Sequence, residues 1–221
     1  TRTYATNGTI GIAGTFTPST GTTNMDGSAV EFNGDMQTIP ASNYYNLTFN
    51  NSTGAKLDGK IIVYNTLFFN QGVVTNSVSA NCFEVMNTDA NAVKANSGSF
   101  TKTALRRHIA SNLNNSADSY LFPVGYNLDY YPMMIDNITT GNGDVTVQVS
   151  YNKSGAWNVS YKGNYTKGSV SLTSPNLGSN NAIKGDDTNL YGTIAGSSII
   201  KSDPSKAASY TLWNRPVNSV V

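Results

Sequence analysis

Apolar side chains recur in short alternating pairs through the first half of the chain: Val30/Phe32, Leu47/Phe49, Ile61/Val63, Leu67/Phe69 and Phe83/Val85. Spacing of two sends both members of a pair to one face of a strand. Four of the runs end on an asparagine, at Asn33, Asn50, Asn70 and Asn87, which lie 17, 20 and 17 residues apart. A strand plus a corner residue at near-constant spacing reads as one supersecondary unit stacked on itself. Asparagine suits such corners, because it tolerates a left-handed backbone and its amide can bond the turn or a stacked neighbour. The interval is too short for a propeller blade and fits one rung of a parallel β-solenoid. A β-sandwich is the competing reading, but Asn33-Gly34 is the only good hairpin signal in this stretch.

The pattern changes after residues 89–98, where the apolar runs lapse. Residues 144–151 alternate Val145, Val147, Val149 and Tyr151 against polar partners, as a half-buried antiparallel strand does. Asn142-Gly143 before them favours a tight hairpin. Residues 169–172 and 209–213 are further strand candidates, and residues 104–113 read as a strand, with a helix as the alternative. The expectation is an all-β chain: a parallel β-solenoid-like unit over 1–98 and an antiparallel β-sandwich over 99–221.

Composition narrows the function. Charged residues are 12% of the chain against about a quarter in an average domain, and 29 asparagines stand among the residues that replace them. With 38% apolar residues the chain has a core to bury, and a net charge of +1 with scattered Lys and Arg builds no basic face for nucleic acid. No apolar run reaches the length of a membrane span. The single cysteine, Cys82, cannot form an internal disulfide and reads as a packed thiol. The chain opens Thr1-Arg2-Thr3-Tyr4 without a signal peptide, which suggests a piece of a longer protein. A first rung beginning at Asn7 would then need cover from preceding repeats or from a neighbouring copy.

Candidate chemistry is sparse. One histidine, His108, is flanked by Arg106 and Arg107 and lacks a nucleophile elbow, so no catalytic residue is assigned. Glu31 and Glu84 alternate with inward apolar residues and are expected on the outer face as solvated groups. One His and one Cys build no zinc site, and no cofactor is expected. Asp186, Asp187 and Asn189 are weak candidates for a cation, although a plain turn fits them better. Trp157, Tyr161, Tyr165 and Trp213 are candidates to stack on sugar rings, with core packing the more frequent role of such residues. Asn-x-Ser/Thr acceptor patterns such as those starting at Asn7, Asn46, Asn137, Asn158 and Asn164 are what this composition produces by chance.

Two signatures are specific. One runs Val30-Glu31-Phe32-Asn33-Gly34, Gln37-Thr38-Ile39-Pro40-Ala41, Tyr44-Tyr45-Asn46-Leu47-Thr48-Phe49 and a Gly-x-Lys-Leu-x-Gly stretch at 54–59. The other runs Leu105-Arg106-Arg107-His108-Ile109, Tyr120-Leu121-Phe122-Pro123-Val124-Gly125 and Tyr130-Tyr131-Pro132. Both resemble repeat regions of very large surface proteins of the Bacteroidota, including gliding-motility adhesins exported by type IX secretion. The resemblance covers most of residues 28–150, and no sorting domain of that family is recognisable. It implies a non-enzymatic structural or adhesive segment of an extracellular surface protein or fibre. Its partners would be flanking repeats or neighbouring copies, with surface polysaccharide a further candidate. A carbohydrate-binding module is the alternative function, and a polysaccharide-active β-helix enzyme a more distant one.

Overall fold

The computed structural model describes residues 2–3, 7–17, 23–24, 27–78, 80–114, 116–152, 156–162, 165–172, 181–185, 190–193, 197–201 and 208–216. Side chains are described at 7–17, 27–78, 80–114, 116–136, 138–151 and 157–159. No α-helix occurs among the described residues, and the chain is all-β.

The first half winds through about four turns of a parallel β-solenoid. Strands β1 (Arg2–Thr3) and β2 (Thr9–Ile12) begin it, and β3 (Thr23–Asn24), β4 (Ala29–Phe32) and β5 (Gln37–Ile39) form the next turn. Two turns follow, β6 (Ser42–Asn50) with β7 (Ala55–Leu57) and β8 (Ile61–Gln71) with β9 (Val73–Asn76). The last turn is β10 (Cys82–Val85), β11 (Val93–Ala95) and β12 (Phe100–Thr101). Each strand pairs in parallel with its counterpart one turn away. The long strands serve two rows: the first part of β8 pairs β10 and its second part pairs β11.

Parallel pairing puts like beside like along the inward columns, although the register between β6 and β8 shifts between Tyr44 and Asn46 and again between Phe49 and Asn50. Ile10, Val30, Leu47, Leu67 and Val93 form one inward column, and Ile12, Phe32, Phe49, Phe69 and Ala95 form the next. The second column steps by 20, 17, 20 and 26 residues, read from 12, 32, 49, 69 and 95. Its rings stack nearly parallel, Phe32 on Phe49 at 6.1 Å and Phe49 on Phe69 at 5.7 Å, and Phe83 closes edge-on against Phe49 and Phe69. The last step is long because a 3-10 turn, Ala90–Ala92, is inserted before β11, its amide end capped by the Asp89 carboxylate on Asn91 N at 2.7 Å.

β13 (Ala104–Ile109) resolves the ambiguity at 104–113 in favour of a strand. It pairs in parallel with β10 and antiparallel with a strand that begins at Val145, so the direction of pairing changes at β13. Beyond it come β14 (Tyr120–Phe122), β15 (Gly125–Tyr126), β16 (Asp129–Tyr130), β17 (Met133–Thr140), β18 (Val145–Asn152), β19 (Ala156–Lys162) and β20 (Tyr165–Leu172). β21 (Asn181–Gly185), β22 (Leu190–Thr193), β23 (Ser197–Lys201) and β24 (Ala208–Pro216) complete the order. The solenoid sheet continues as β13-β18-β19-β24-β21, while β14-β17-β20-β23-β22 form a separate antiparallel sheet. Buried residues of both, among them Val147, Val149 and Trp157 on one and Tyr120, Phe122 and Met133 on the other, join the solenoid interior in one hydrophobic cluster.

Phe49 is the central ring of the column and touches three others. Phe49→Ala is expected to lower unfolding free energy by about 3–5 kcal/mol, the usual result of emptying a core aromatic site. Urea denaturation checks it, and a loss under about 1 kcal/mol would mean that the column contributes little.

Candidate functional site

The polar groups of the solenoid are organised in ladders that run with the strands. Asn70 Nδ2 donates to Asn50 Oδ1 at 2.9 Å, and Asn96 Nδ2 donates to Asn70 Oδ1 at 2.6 Å. Asn50 Nδ2 donates to Glu31 Oε1 at 3.1 Å, which Asn33 Nδ2 also approaches at 3.4 Å. Each amide thus donates toward the preceding turn, and the row ends on a carboxylate, which only accepts. Asn87 belongs to a second ladder: it donates to Asn65 at 3.0 Å, and Asn65 donates to Asn46 at 2.8 Å. The fourth member of the first row is Asn96. None of these ladder residues has positive φ; among non-glycine residues that conformation falls at Asn7, Met36, Asn112 and Asn127. The corners therefore use asparagine for its stacking amide and not for left-handed backbone. Glu31 is half-buried as the terminus of its ladder.

The densest charged cluster straddles β10, β13 and β18. Glu84 lies on the outer face but is buried, against the expectation of a solvated carboxylate. The register places Arg106 beside it and Gln148 beside Arg106, so three strands contribute one polar row. Lys60 Nζ contacts Glu84 Oε2, Arg106 reaches Oε1 at 3.6 Å, and His108 Nε2 reaches Oε1 at 3.2 Å. Arg106 also donates to Gln148 Oε1 from Nε at 3.2 Å and from its NH2 group at 3.0 Å. The other His108 nitrogen, Nδ1, faces Asp144 Oδ1 at 3.3 Å. Both ring nitrogens are occupied by carboxylates, a clamp across the junction strand. Burial pushes the Glu84 carboxyl up, but hydrogen bonds from Lys60 and His108 and the Lys60 and Arg106 charges outweigh it and hold it below its ordinary 4.5. Cys82, half-exposed nearby, has its thiol pushed up by burial, which keeps it a poor nucleophile.

Arg107 points the other way. It occupies the inward column after Tyr44, Val63 and Val85, and it is completely buried. Its terminal nitrogens donate to three carbonyls, Leu121 O at 3.0 Å, Asp89 O at 2.8 Å and Ala90 O at 2.9 Å. The guanidinium lies 4.9 Å from the Tyr120 ring centre and 5.8 Å from that of Phe122. Burial pulls it down to about 10, and Tyr120 and Asp89 act in the opposite sense. Tyr120 Oη donates to Thr88 O at 2.9 Å, tying the same segment. Among the described residues, Arg107 Nε and Tyr44 Oη are the buried side-chain polar atoms without a hydrogen-bond partner.

The aromatic candidates divide. Trp157 is not a sugar platform: it is fully buried, its Nε1 donates to Tyr131 O at 2.9 Å, and it meets Tyr131 and Tyr151 edge-on. Tyr161 and Tyr165 lie in β19 and β20 and Trp213 in β24, with side chains outside the described residues. Asp186, Asp187 and Asn189 are outside the described residues altogether. Among the described residues no group of three or more His, Cys, Asp or Glu side chains gathers as a metal-ligand set, and no helix is long and apolar enough to cross a membrane. The Glu84–His108–Asp144 clamp and the Arg107 plug escaped sequence reasoning, although period-two alternation across 104–109 separates Arg106 and His108 from Leu105, Arg107 and Ile109. No family model, curated protein or solved structure matches the chain.

Three outcomes are expected. Asn70→Ala removes an amide bonded to an asparagine on each side, Asn50 and Asn96, and should cost about 1–2 kcal/mol by urea denaturation. Arg107→Leu removes the side-chain donors to three part-buried carbonyls and should cost about 1–3 kcal/mol in the same measurement, despite comparable volume. For Glu84 the depressed folded value means that the unfolded chain binds more protons on the acid side. Its contribution is complete above the ordinary 4.5 and is lost as pH falls through the lower folded value. Glu84→Gln should therefore flatten the acid limb of stability, read as urea midpoints over about pH 3–7.

Proposed function

We propose that this chain is a non-enzymatic structural or adhesive segment of a large extracellular surface protein or fibre. In this reading the solenoid over 1–98 is the stiff element, and the two antiparallel sheets of 99–221 form a β-sandwich docked on its end. The observation that carries the reading is the parallel stack of successive turns, apolar columns inside and amide ladders at the corners. Such a stack is load-bearing in the mechanical sense, because neighbouring turns share many hydrogen bonds along one axis. A non-catalytic role is supported by what the reactive side chains do: His108 is spent on two carboxylates, Arg107 on carbonyls, and Cys82 carries a thiol pushed up. A cell-surface location, export by type IX secretion and a place in gliding motility rest on the resemblance of the two signatures to Bacteroidota adhesin repeats. Partners of the same kind, flanking repeats or neighbouring copies, fit the edge strand β2, which ends the order of its sheet.

Pulling the chain from its two ends in a force spectrometer tests the mechanical reading. High-force, cooperative rupture that weakens in Asn70→Ala is the expected outcome, and low-force, gradual extension would overturn it. A glycan array and a polysaccharide-hydrolysis panel separate the other readings. Binding that disappears on substituting Tyr161, Tyr165 or Trp213 would favour a carbohydrate-binding module. Turnover abolished by His108→Ala would establish an enzyme.

A further inference from the structure

Three Asn-Gly pairs occur in the sequence, Asn7-Gly8, Asn33-Gly34 and Asn142-Gly143. They share the dipeptide in which cyclisation of asparagine is least hindered, since glycine presents no Cβ beside its amide nitrogen. The fold gives them three different surroundings. Asn7 N donates to Gly27 O at 2.8 Å and Gly8 O accepts from Ala29 N at 2.8 Å, so the peptides on both sides of that bond are held to the next turn of the stack. Gly34 N donates to Gln37 Oε1 at 2.8 Å, and Asn33 N donates to Ile12 O at 3.1 Å. A Cβ at Gly34 would sit 1.8 Å from Ala13 O, which shows how little room that corner has to rotate. Asn7, Asn33 and Asn142 are all exposed, and what sets the last pair apart is its glycine: in the connection from β17 to β18, Gly143 has φ +97° and nothing lies within 4 Å of where its Cβ would be.

We propose that Asn142 is a site of spontaneous, self-catalysed deamidation, and that the solenoid protects Asn33 and Asn7 from the same reaction. The Gly143 amide nitrogen gives its proton to solvent base and attacks Cγ of Asn142. The Cγ–Nδ2 bond breaks, the side-chain nitrogen leaves as ammonia, and a five-membered succinimide closes. Water then adds to one of the two imide carbonyls, breaking its bond to nitrogen, and yields aspartate or isoaspartate. No oxidant, metal or cofactor is needed. Protection at Asn33 follows from the nucleophile: its N–H is engaged by Gln37, and the chain cannot turn onto Cγ without local opening of the corner.

The reaction has a structural consequence. Isoaspartate routes the main chain through the side chain of residue 142 and lengthens a tight connection. Either product adds a negative charge two residues from Asp144, whose Oδ1 faces His108 Nδ1. Conversion therefore acts on the Asp144 end of the Glu84–His108–Asp144 clamp, in the connection between two sheets, and not on the solenoid stack.

The test is incubation of the folded chain at mildly alkaline pH, with time-resolved peptide mapping by mass spectrometry to follow amide-to-acid conversion and isoaspartate at each pair. Asn142 is expected to convert at least about tenfold faster than Asn33 in the folded protein, and the two rates should converge in denaturing urea, where local opening no longer limits the reaction. Equal rates in the folded protein, an unchanged ratio in urea, or no conversion at Asn142 would each overturn the proposal.

Discussion

Parallel pairing of successive turns, like beside like along the inward columns, is the constraint from which most of this molecule follows. Once the chain returns to the same azimuth in the same direction, each side chain meets its counterpart one turn away, and every position must tolerate its own kind. Phenylalanine satisfies that condition by offset stacking, and asparagine satisfies it by donating from one amide to the carbonyl of the next. A charged residue repeated in the column would not, because like charges at strand spacing repel. The low charge of the chain and its wealth of asparagine are thus two expressions of one geometric rule. The carboxylate in the first ladder, Glu31, stands at its acceptor end, where two amides converge on it.

A stack that is stable everywhere also needs a way to stop. Here the stop is built into one strand. Period-two alternation along β13 presents Leu105, Arg107 and Ile109 inward and Arg106 and His108 outward, and both faces are used. Inward, Arg107 stands in a column whose earlier members are Tyr44, Val63 and Val85, so the next turn would have to stack on a guanidinium. Its nitrogens instead collect carbonyls from the 3-10 segment and from β14, where the regular ladder has lapsed. A buried cation without a carboxylate is costly, and three carbonyl dipoles with two aromatic faces offset that cost. Outward, His108 joins the carboxylate of the last solenoid turn to Asp144 in the connection from β17 to β18, which is no hairpin, because those two strands belong to different sheets. Direction of pairing reverses between those two carboxylates.

Period two was legible, and so was the stacked parallel architecture, because strand alternation and turn spacing are properties of the local sequence. The true length of each turn was less so. Asn87 sits 17 residues after Asn70, the same interval as Asn33 to Asn50, yet it stacks on Asn65 and the Asn70 ladder continues at Asn96. An inserted 3-10 turn moved the register, and the long strands β6 and β8 bear asparagines at two corners, so identity of residue could not say which corner was meant. Glu84 was placed on the correct face but given the wrong environment. Alternation assigns a side, whereas burial on that side depends on Lys60, Arg106 and His108 arriving from other strands. Trp157 was offered as a platform and is a core residue for the same reason, since only the fold brings Tyr131 and Tyr151 to it.

The two kinds of ladder divide the work. Apolar columns drive collapse but specify register weakly, because a slip of two residues along a strand of alternating apolar residues keeps the same face inward. An amide ladder has less tolerance: a slip parts the half-buried amides of Asn46, Asn50, Asn65 and Asn70, at about 1–3 kcal/mol for each buried group left unmet. The asparagines lie at the corners, where the rows begin and end, so a register error in a row separates the amides at its end. Turn lengths of 17, 20 and 26 residues between ladder members Asn33, Asn50, Asn70 and Asn96 are then accommodated by the corner loops while the rows stay aligned. Variation in loop length coexists with a constant interior because the polar edge, more than the core, holds each turn in place.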